Sequence, residues 1–429
     1  MKILLCTLYD RGASLGIKSI YRVLMKCGHT VKLLFYDTPR FSDLEPDPIL
    51  EAVDVPSFLP PVNDHDLRSF RELIKTENPE IVGFSLFSAH YKTAMKLTQE
   101  VRTVSDAIVI WGGVHAIIDP ESCISHADYV CIGEGEEAIV ELVAAIEVKD
   151  FMRPIPGIWH KDTLPENQSQ ERVVIQNLDE LPINPLALKD IRFIPKNRPQ
   201  IIWSQEKKGR NPYHSANYVT MASRGCPMSC RYCIHGWSKE NLQQKIRYRK
   251  RSVEHVIEEI ALVKHSHMIH SIVFMDDFFP MNSDWLERFA QIYPQKIQLP
   301  FYCYFYPGQV NQDVVELLIQ SGLYTSNMGV QSGSYRVRKE IFGRPETNNR
   351  ILEAANILNP KLPMRYELIC DNAFETEDDV RETLDLLLQF PLPFSLMIFS
   401  LTYYPNYPIT RMAIEKGFID KGMIYDEID

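Results

Sequence analysis

The chain has 429 residues with 45% hydrophobic content, enough apolar mass for a large core and a length that predicts two or three domains rather than one. That composition excludes a disordered chain, and a formal net charge of -10 argues against a nucleic-acid surface. No apolar run approaches a membrane span, Met1-Lys2-Ile3-Leu4-Leu5-Cys6 is too short for a signal peptide, and nine cysteines, an odd number, predict reduced thiols in a cytoplasmic protein.

From the N-terminus, apolar runs at Lys2–Tyr9, Val31–Tyr36, Ile81–Phe87, Ile108–Trp111 and Tyr129–Ile132 read as strands, with helical stretches in the gaps. Such alternation predicts a parallel sheet with helices on both faces and a ligand beyond the strand C-termini. The loops at those ends carry small residues: Ser85-Leu86-Phe87-Ser88, Gly112-Gly113-Val114-His115-Ala116 and Gly133-Glu134-Gly135-Glu136. Glycine lets backbone approach a bulky planar ligand that a Cβ would hold off; an ordinary tight turn is the competing reading. No GxGxxG follows the first strand, which argues against a nicotinamide fold.

From Phe151 to Ser215 the character changes, with prolines at Pro154, Pro156, Pro182, Pro185, Pro195, Pro199 and Pro212 separated by polar runs, as expected of an ordered linker. The apolar run Tyr218-Val219-Thr220-Met221-Ala222 then leads into Ser223-Arg224-Gly225-Cys226-Pro227-Met228-Ser229-Cys230-Arg231-Tyr232-Cys233. This CxxxCxxC spacing sets three thiols on one tight loop at a strand's C-terminal end, where α/β barrels keep their active sites. A structural zinc site is closed by four ligands and a 4Fe-4S cluster normally takes four thiolates, so three leave one iron open to substrate. Spacing alone also admits a zinc loop completed by Cys303 or His235, and a redox pair at Cys230 and Cys233.

Beyond the cysteines, Ser271–Met275, Pro300–Tyr306, Tyr324–Val330, Met364–Ile369 and Phe394–Leu401 read as strands that join Val219–Ala222 in a set of six. The stretches Ser252–His265, Asp284–Tyr293, Asp313–Gln320 and Glu377–Leu388 carry apolar residues at helical spacing, with Ser252 and Ser283 placed to cap. Together these predict a partial (β/α)6 barrel. The basic stretch Lys245 to Arg251 reads as a solvated face, with backbone or phosphate contacts as the other reading. Tyr304 reads as core or barrel interior, and Tyr403, Tyr404 and Tyr407 as a cluster with either a core or a pocket role.

Cys226, Cys230 and Cys233, with the aromatic Tyr232 before the last of them, resemble the motif of the radical S-adenosylmethionine (SAM) family. The three upstream loops resemble the cobalamin-binding domain of cobalamin-dependent radical SAM enzymes, and the likeness runs over nearly the whole chain. It implies an α/β protein with an N-terminal Rossmann-like (flavodoxin-like) cobalamin-binding domain over 1–150 and a Pro-rich bridging segment over 151–215. A partial (β/α)6 radical SAM barrel over 216–412 and a short tail over 413–429 complete it. The resemblance assigns a 4Fe-4S cluster to Cys226, Cys230 and Cys233, and cobalamin to Ser85, Gly112, Gly113, His115, Gly133, Glu134 and Gly135. It assigns SAM contacts to Tyr232, to Asp276 and Asp277 at the methionine amino group, and to Gln331 and Ser332 near the ribose and carboxylate; capping is the other reading of the two aspartates.

Three departures stand against the family pattern. Gly12 occupies the place of the cobalt-ligating histidine in the Asp-x-His-x-x-Gly motif, so the first strand offers no lower axial imidazole. Ile369-Cys370-Asp371-Asn372-Ala373-Phe374-Glu375-Thr376 keeps only Glu375-Thr376 of a Gly-Leu-Pro-Gly-Glu-Thr-like turn. Tyr404-Pro405-Asn406-Tyr407-Pro408 replaces a Pro-Gly-Thr-Pro.

The resemblance implies reductive cleavage of SAM to methionine and a 5′-deoxyadenosyl radical, then methylation of an unactivated carbon through methylcobalamin. A non-methylating cyclase or rearrangement enzyme, similar to the anaerobic porphyrin cyclases, is the first alternative; a non-catalytic sensor of cobalamin and cluster is the second. A methylthiotransferase is disfavoured, because Cys6, Cys27, Cys123 and Cys131 do not group with ligand-like spacing. The implied partners are an external electron donor such as flavodoxin or ferredoxin and a small-molecule or peptide substrate, with no nucleic acid and no membrane span.

Overall fold

The structure is a computed structural model that describes residues 1–8, 14–37, 64–171, 173–195, 217–242 and 248–425. The Asp10–Ala13 stretch read for cobalt ligation, the end of the bridging segment and residues 245–247 of the basic stretch lie outside those described. The described residues divide between two compact units, one built from residues up to 195 and one running from 217 to 424.

In the first unit, strands β1 (Lys2–Thr7), β2 (Thr30–Asp37), β3 (Ile81–Ser85), β4 (Ile108–Gly112), β5 (Tyr129–Cys131), β6 (Ile158–His160) and β7 (Ile191–Pro195) form one sheet in the order β6-β5-β4-β3-β1-β2-β7. All neighbours are parallel except the edge pair β5 and β6. β1, β3 and β5 are buried almost throughout, as expected of strands covered on both faces, and this is why their apolar runs are unbroken. Val82, Phe84, Val109, Trp111 and Val130 pack with Phe70, Leu73, Leu97 and Val101 of the helices Asp64–Glu77 and Tyr91–Val104. The strand order contains the flavodoxin-like order 2-1-3-4-5, whose switch point lies between β1 and β3. Two of the strands, β6 and β7, come from residues that the sequence presented as a bridging segment. Asp190 anchors the entry to β7, accepting from Tyr21 Oη at 2.9 Å and Lys32 Nζ at 3.2 Å.

In the second unit, β8 (Asn217–Thr220), β11 (Ser271–Phe274), β12 (Phe301–Phe305), β13 (Leu323–Gln331), β14 (Met364–Cys370) and β15 (Phe394–Ser400) form an open parallel sheet in the order β15-β14-β13-β12-β11-β8. The ribbon of β9 (Ser223–Arg224) and β10 (Arg249–Lys250) stands apart from it. Alternation sorts the side chains. Phe274 and Phe301 pack with Phe289 and Tyr293 of the helix Ser283–Lys296, while Tyr302 and Tyr304 point to the opposite, inner face. Ser252 caps the helix Val253–Ser266 by accepting from His255 N, as its position predicts. Ser283 is instead the first helical residue, and Asn282 takes the cap position.

In the described part of the basic stretch, Lys250 is exposed while Arg251 turns to backbone and carboxylate partners. Arg249 is buried, and Arg251 pairs with the buried Glu259 at 2.5 Å while donating to Met221 O at 3.0 Å. Its charges hold the exit of β8 against the helix Val253–Ser266.

Candidate active site

Cys226, Cys230 and Cys233 occupy the loop that follows β8 and β9 and ends at the N-terminus of the helix Ile234–Asn241, with Cys233 in its cap position. Cys233 N donates to Cys230 O at 3.1 Å, and Gly236 N and Trp237 N donate to Cys233 O. A Cβ on Gly236 would stand 2.1 Å from Cys230 O, so only glycine lets the helix close on the loop. The backbone also turns amides toward sulfur, from Met228 to Cys226 and from His235 to Cys233. Lys239 Nζ donates to Pro227 O and to Met228 O at 2.7 Å.

Burial pushes the Cys226 thiol up to about 11 and the Cys233 thiol up to about 12, with mutual repulsion among the sulfurs adding to it. Burial raises Cys230 too, while the Arg344 guanidinium and the Tyr232 hydroxyl pull it back. Three coupled thiols of this kind ionise only when a cationic centre takes their protons' place, and a 4Fe-4S core is such a centre. Among the described residues, no group of three or more His, Cys, Asp or Glu side chains is arranged to hold a single metal ion. Cys303, considered above as a fourth zinc ligand, shares the helix-facing side of β12 with Phe301 and is fully buried. The donor set therefore suits a cluster, which spreads its thiolates over several irons, better than one zinc at about 2.3 Å from each sulfur.

A second segment, unmarked in the sequence reading, docks against this loop. Arg231 N donates to Phe342 O at 2.9 Å, and the Tyr232 ring meets Phe342 edge-on at 5.1 Å. Past a π-helical turn at Val337–Ile341, the chain delivers Arg344, 6% exposed. Its guanidinium donates to Tyr232 Oη at 3.3 Å, Gly329 O at 3.1 Å and Glu346 Oε2 at 3.3 Å, and lies 5.2 Å from the Tyr306 ring centre. Burial pushes the Glu346 carboxyl up to about 7, and its Oε1 has no partner. Tyr407, from the tyrosine cluster, is buried beside Cys233, whose charge adds to burial in raising its hydroxyl. The one sequence signal for Arg344 was an arginine directly after a glycine, too common to single out.

Strand parity separates the two aspartates after β11. Asp276 continues the helix-facing side of Ile272 and Phe274, is buried, and accepts from Ala222 N at 3.1 Å and Ser223 Oγ at 2.5 Å. Burial pushes it up to about 7, partly opposed by those bonds. Its carboxyl thereby shapes the exit of β8. Asp277, on the inner side, is half-exposed; its Oδ2 lies 2.9 Å from His235 Nε2 without the alignment of a hydrogen bond, and its charge acts on Cys226 and Cys233.

The same parity divides the end of β13. Gln331, at φ +69° where the register with β14 shifts, turns its amide over Gly329 beside Arg344. The Ser332 Oγ lies 3.3 Å from both Glu375 Oε1 and Thr383 Oγ1, so it ties the end of β13 to the helix Glu377–Leu387. On the inner face below, Asn327 Nδ2 donates to Glu367 Oε1 at 2.9 Å, and burial raises the Glu367 carboxyl. Tyr304 Oη reaches Met275 Sδ at 3.6 Å, which places this tyrosine inside the barrel.

In the first unit, Ser85, Gly112, Gly113, Gly133, Glu134 and Gly135 all lie partly exposed at the C-terminal ends of β3, β4 and β5. A Cβ on Gly112 would meet Cys131 Cβ at 3.6 Å and Cys131 O at 4.0 Å, ordinary contacts, whereas one on Gly135 would meet the Ile20 side chain at 3.0 Å, so Gly135 serves close packing against the first helix. Gly113 is required for a different reason than ligand approach: at φ +96° its Cβ would stand 2.7 Å from Leu86 O. The loops after β3 and β4 are hydrogen-bonded there, Leu86 N to Gly112 O at 3.0 Å and His115 N to Leu86 O at 3.2 Å.

Two expected contacts turn inward. His115 is fully buried, its Nδ1 2.9 Å from Ser88 Oγ and its Nε2 3.2 Å from Ser122 Oγ, and burial lowers it to about 4. Glu134 Oε2 accepts from Ile175 N at 2.7 Å, which fastens the segment after β6. The small residues of this edge fit a corrinoid; His115 and Glu134 hold the edge in shape.

Comparison with known proteins gives the same division. The family model of the B12 binding domain matches residues 1–143, and that of the radical SAM superfamily matches residues 221–387. An uncharacterized methyltransferase of Pyrococcus horikoshii is 26% identical over 80% of this chain and 70% of its own length. Cytidylyl-2-hydroxyethylphosphonate methyltransferase of Streptomyces wedmorensis is 22% identical over 95% of this chain and 78% of its own. Among solved structures, the radical S-adenosylmethionine methyltransferase TsrM of Kitasatospora setae aligns with a TM-score of 0.69 at 16% identity, covering 97% of this chain and 76% of that one; at that identity the likeness speaks for the fold. No helix among the described residues is long and apolar enough to cross a membrane.

Proposed function

The chain belongs to the cobalamin-dependent radical SAM enzymes, and from that premise we propose that it transfers a methyl group to an unactivated carbon of its substrate. The observation that carries the reading is the loop of three thiols at the exit of β8, in a chain whose first sheet ends β3, β4 and β5 in small, partly exposed residues. Two relatives that share at least four fifths of this chain carry methyltransferase names.

When bound, the cluster supplies the electron that cleaves SAM to a 5′-deoxyadenosyl radical, and cobalamin supplies the methyl group. Cys226, Cys230 and Cys233 hold the cluster, with the amides of Met228 and His235 stabilising their thiolates. Asp277, beside His235, and the Gln331 amide, over Gly329, are the groups on the inner side that would bind the polar ends of SAM. Ser85, Gly112 and Gly133 would let the corrin approach the sheet edge. Inside the barrel, Tyr304, Asn327 and Glu367 orient a polar group of the substrate. A cytoplasmic enzyme served by a flavodoxin-like or ferredoxin-like donor is the reading that its free cysteines support.

The test is anaerobic reconstitution with iron, sulfide and hydroxocobalamin. S-adenosylhomocysteine and 5′-deoxyadenosine formed together support methylation, whereas 5′-deoxyadenosine alone with cobalamin still required points to a cyclase or rearrangement. Cys230→Ala is expected to lose the cluster's visible absorption and all SAM cleavage while keeping its corrinoid, which equilibrium dialysis reads directly. A wild-type protein that binds zinc in place of iron overturns the reading.

A further inference from the structure

We propose that Arg344 is a positioning residue for redox: a permanent positive charge, hydrogen-bonded to Tyr232 of the cysteine loop, that sets how easily the bound cluster is reduced. The proposal rests on the reading that the three cysteines carry a 4Fe-4S cluster. Its own content lies in a residue that neither the cysteine motif nor the SAM contacts include.

Arginine stays charged at any working pH, and this one is 6% exposed. Three groups fix it: Tyr232 Oη, Gly329 O and Glu346 Oε2, each between 3.1 and 3.3 Å. Two of these tie it to the cysteine loop and to β13, so the charge cannot swing away into solvent. Its field reaches Cys230 and Cys226, and away from water such a field is only weakly screened. The carboxylate hydrogen-bonded to it answers it incompletely, and the Glu367 carboxyl also lies within reach of its charge. Glu346 lies 3.3 Å from Arg344 Nε, longer than the 2.7–2.9 Å or so of a tight charge-assisted bond, and its Oε1 has no partner.

On reduction, one electron passes from a low-potential donor, dithionite in the test, onto the cluster, whose negative charge rises by one unit with no bond made or broken. A fixed cation beside the cysteine loop stabilises the reduced form more than the oxidised form, so it raises the potential. Hydrogen bonds and net charge around the sulfurs are the levers by which a protein moves that value. Glu346 pulls the other way.

The two residues therefore predict shifts of opposite sign. Wild type, Arg344→Met, Arg344→Lys and Glu346→Gln are reconstituted anaerobically, and the cluster is titrated by electron paramagnetic resonance at pH 8.5. Arg344→Met is expected to lower the midpoint so that the reduced-to-oxidised ratio at fixed poise falls about tenfold, roughly 59 mV for one electron. Arg344→Lys restores most of it, and Glu346→Gln raises the midpoint. Should Arg344→Met take up no cluster, the Glu346→Gln shift decides: a rise supports the proposal. Midpoints equal to wild type in every variant that binds a cluster overturn it. A wild type that takes up no cluster overturns instead the reading beneath it.

Discussion

His115 shows how a residue with the right address can have a different task. Between Ser88 Oγ and Ser122 Oγ, and tilted against the Tyr91 ring at 4.8 Å, the imidazole is held neutral, its value lowered by burial to about 4. An ordinary histidine titrates near 6.5, so on acidification the unfolded chain takes up a proton before the folded one does. The stabilisation is complete above about pH 6.5 and drains away as pH falls toward the folded value, by an amount on the order of 3 kcal/mol at most. His115→Gln should flatten the dependence of urea-unfolding midpoints on pH between 4.5 and 7. An unchanged slope would mean that other groups govern acid sensitivity. Asp276 belongs to the same class, since its neighbours Ala222 N and Ser223 Oγ are parts of the fold. Chemistry-bearing residue types at strand ends were legible in the sequence. The face each one turns to depends on strand parity, and a one-residue slip reverses it.

At the scale of elements, the connection after β14 illustrates what survives when a family turn is rebuilt. Thr376 and Asp379 form a capping box at the helix Glu377–Leu387, and Asp379 also accepts from Ser334 Oγ at 2.6 Å and from Arg336. One carboxylate thus joins the exit of β13 to the start of that helix. Asp379→Ala should destabilise the barrel by about 2–3 kcal/mol, since a cap is lost and buried donors are orphaned; denaturation followed by Trp285 fluorescence checks it. The strands themselves were readable because parallel strands covered on both faces are unbroken apolar runs, and observed boundaries fall within one or two residues of the expected ones. β6 and β7 were not readable: each is short and lies among prolines, and each exists through pairing with a distant strand. Arg344 and Glu346 were hidden for a related reason, because their place depends on docking of the 337–346 segment against the cysteine loop. No local pattern encodes that.

For the whole molecule, two cores mean that ligands should report separately. Saturating the corrinoid edge at about 100 times its Kd should stabilise the first unit by about 2.7 kcal/mol, visible as slowed amide exchange in β1 to β5. The strands β8 to β15 should exchange as before. Uniform protection of both sheets by cobalamin alone would show that the two cores do not unfold independently. Within the second unit, Arg231 has a further consequence. Its amide is held by Phe342 O and its carbonyl by Ile409 N, so the middle of the cysteine loop is clipped to chain made 111 and 178 residues later. During synthesis the sulfurs emerge from the ribosome long before the segments that shape their loop exist. The loop therefore reaches this shape only once both of those later segments have been made.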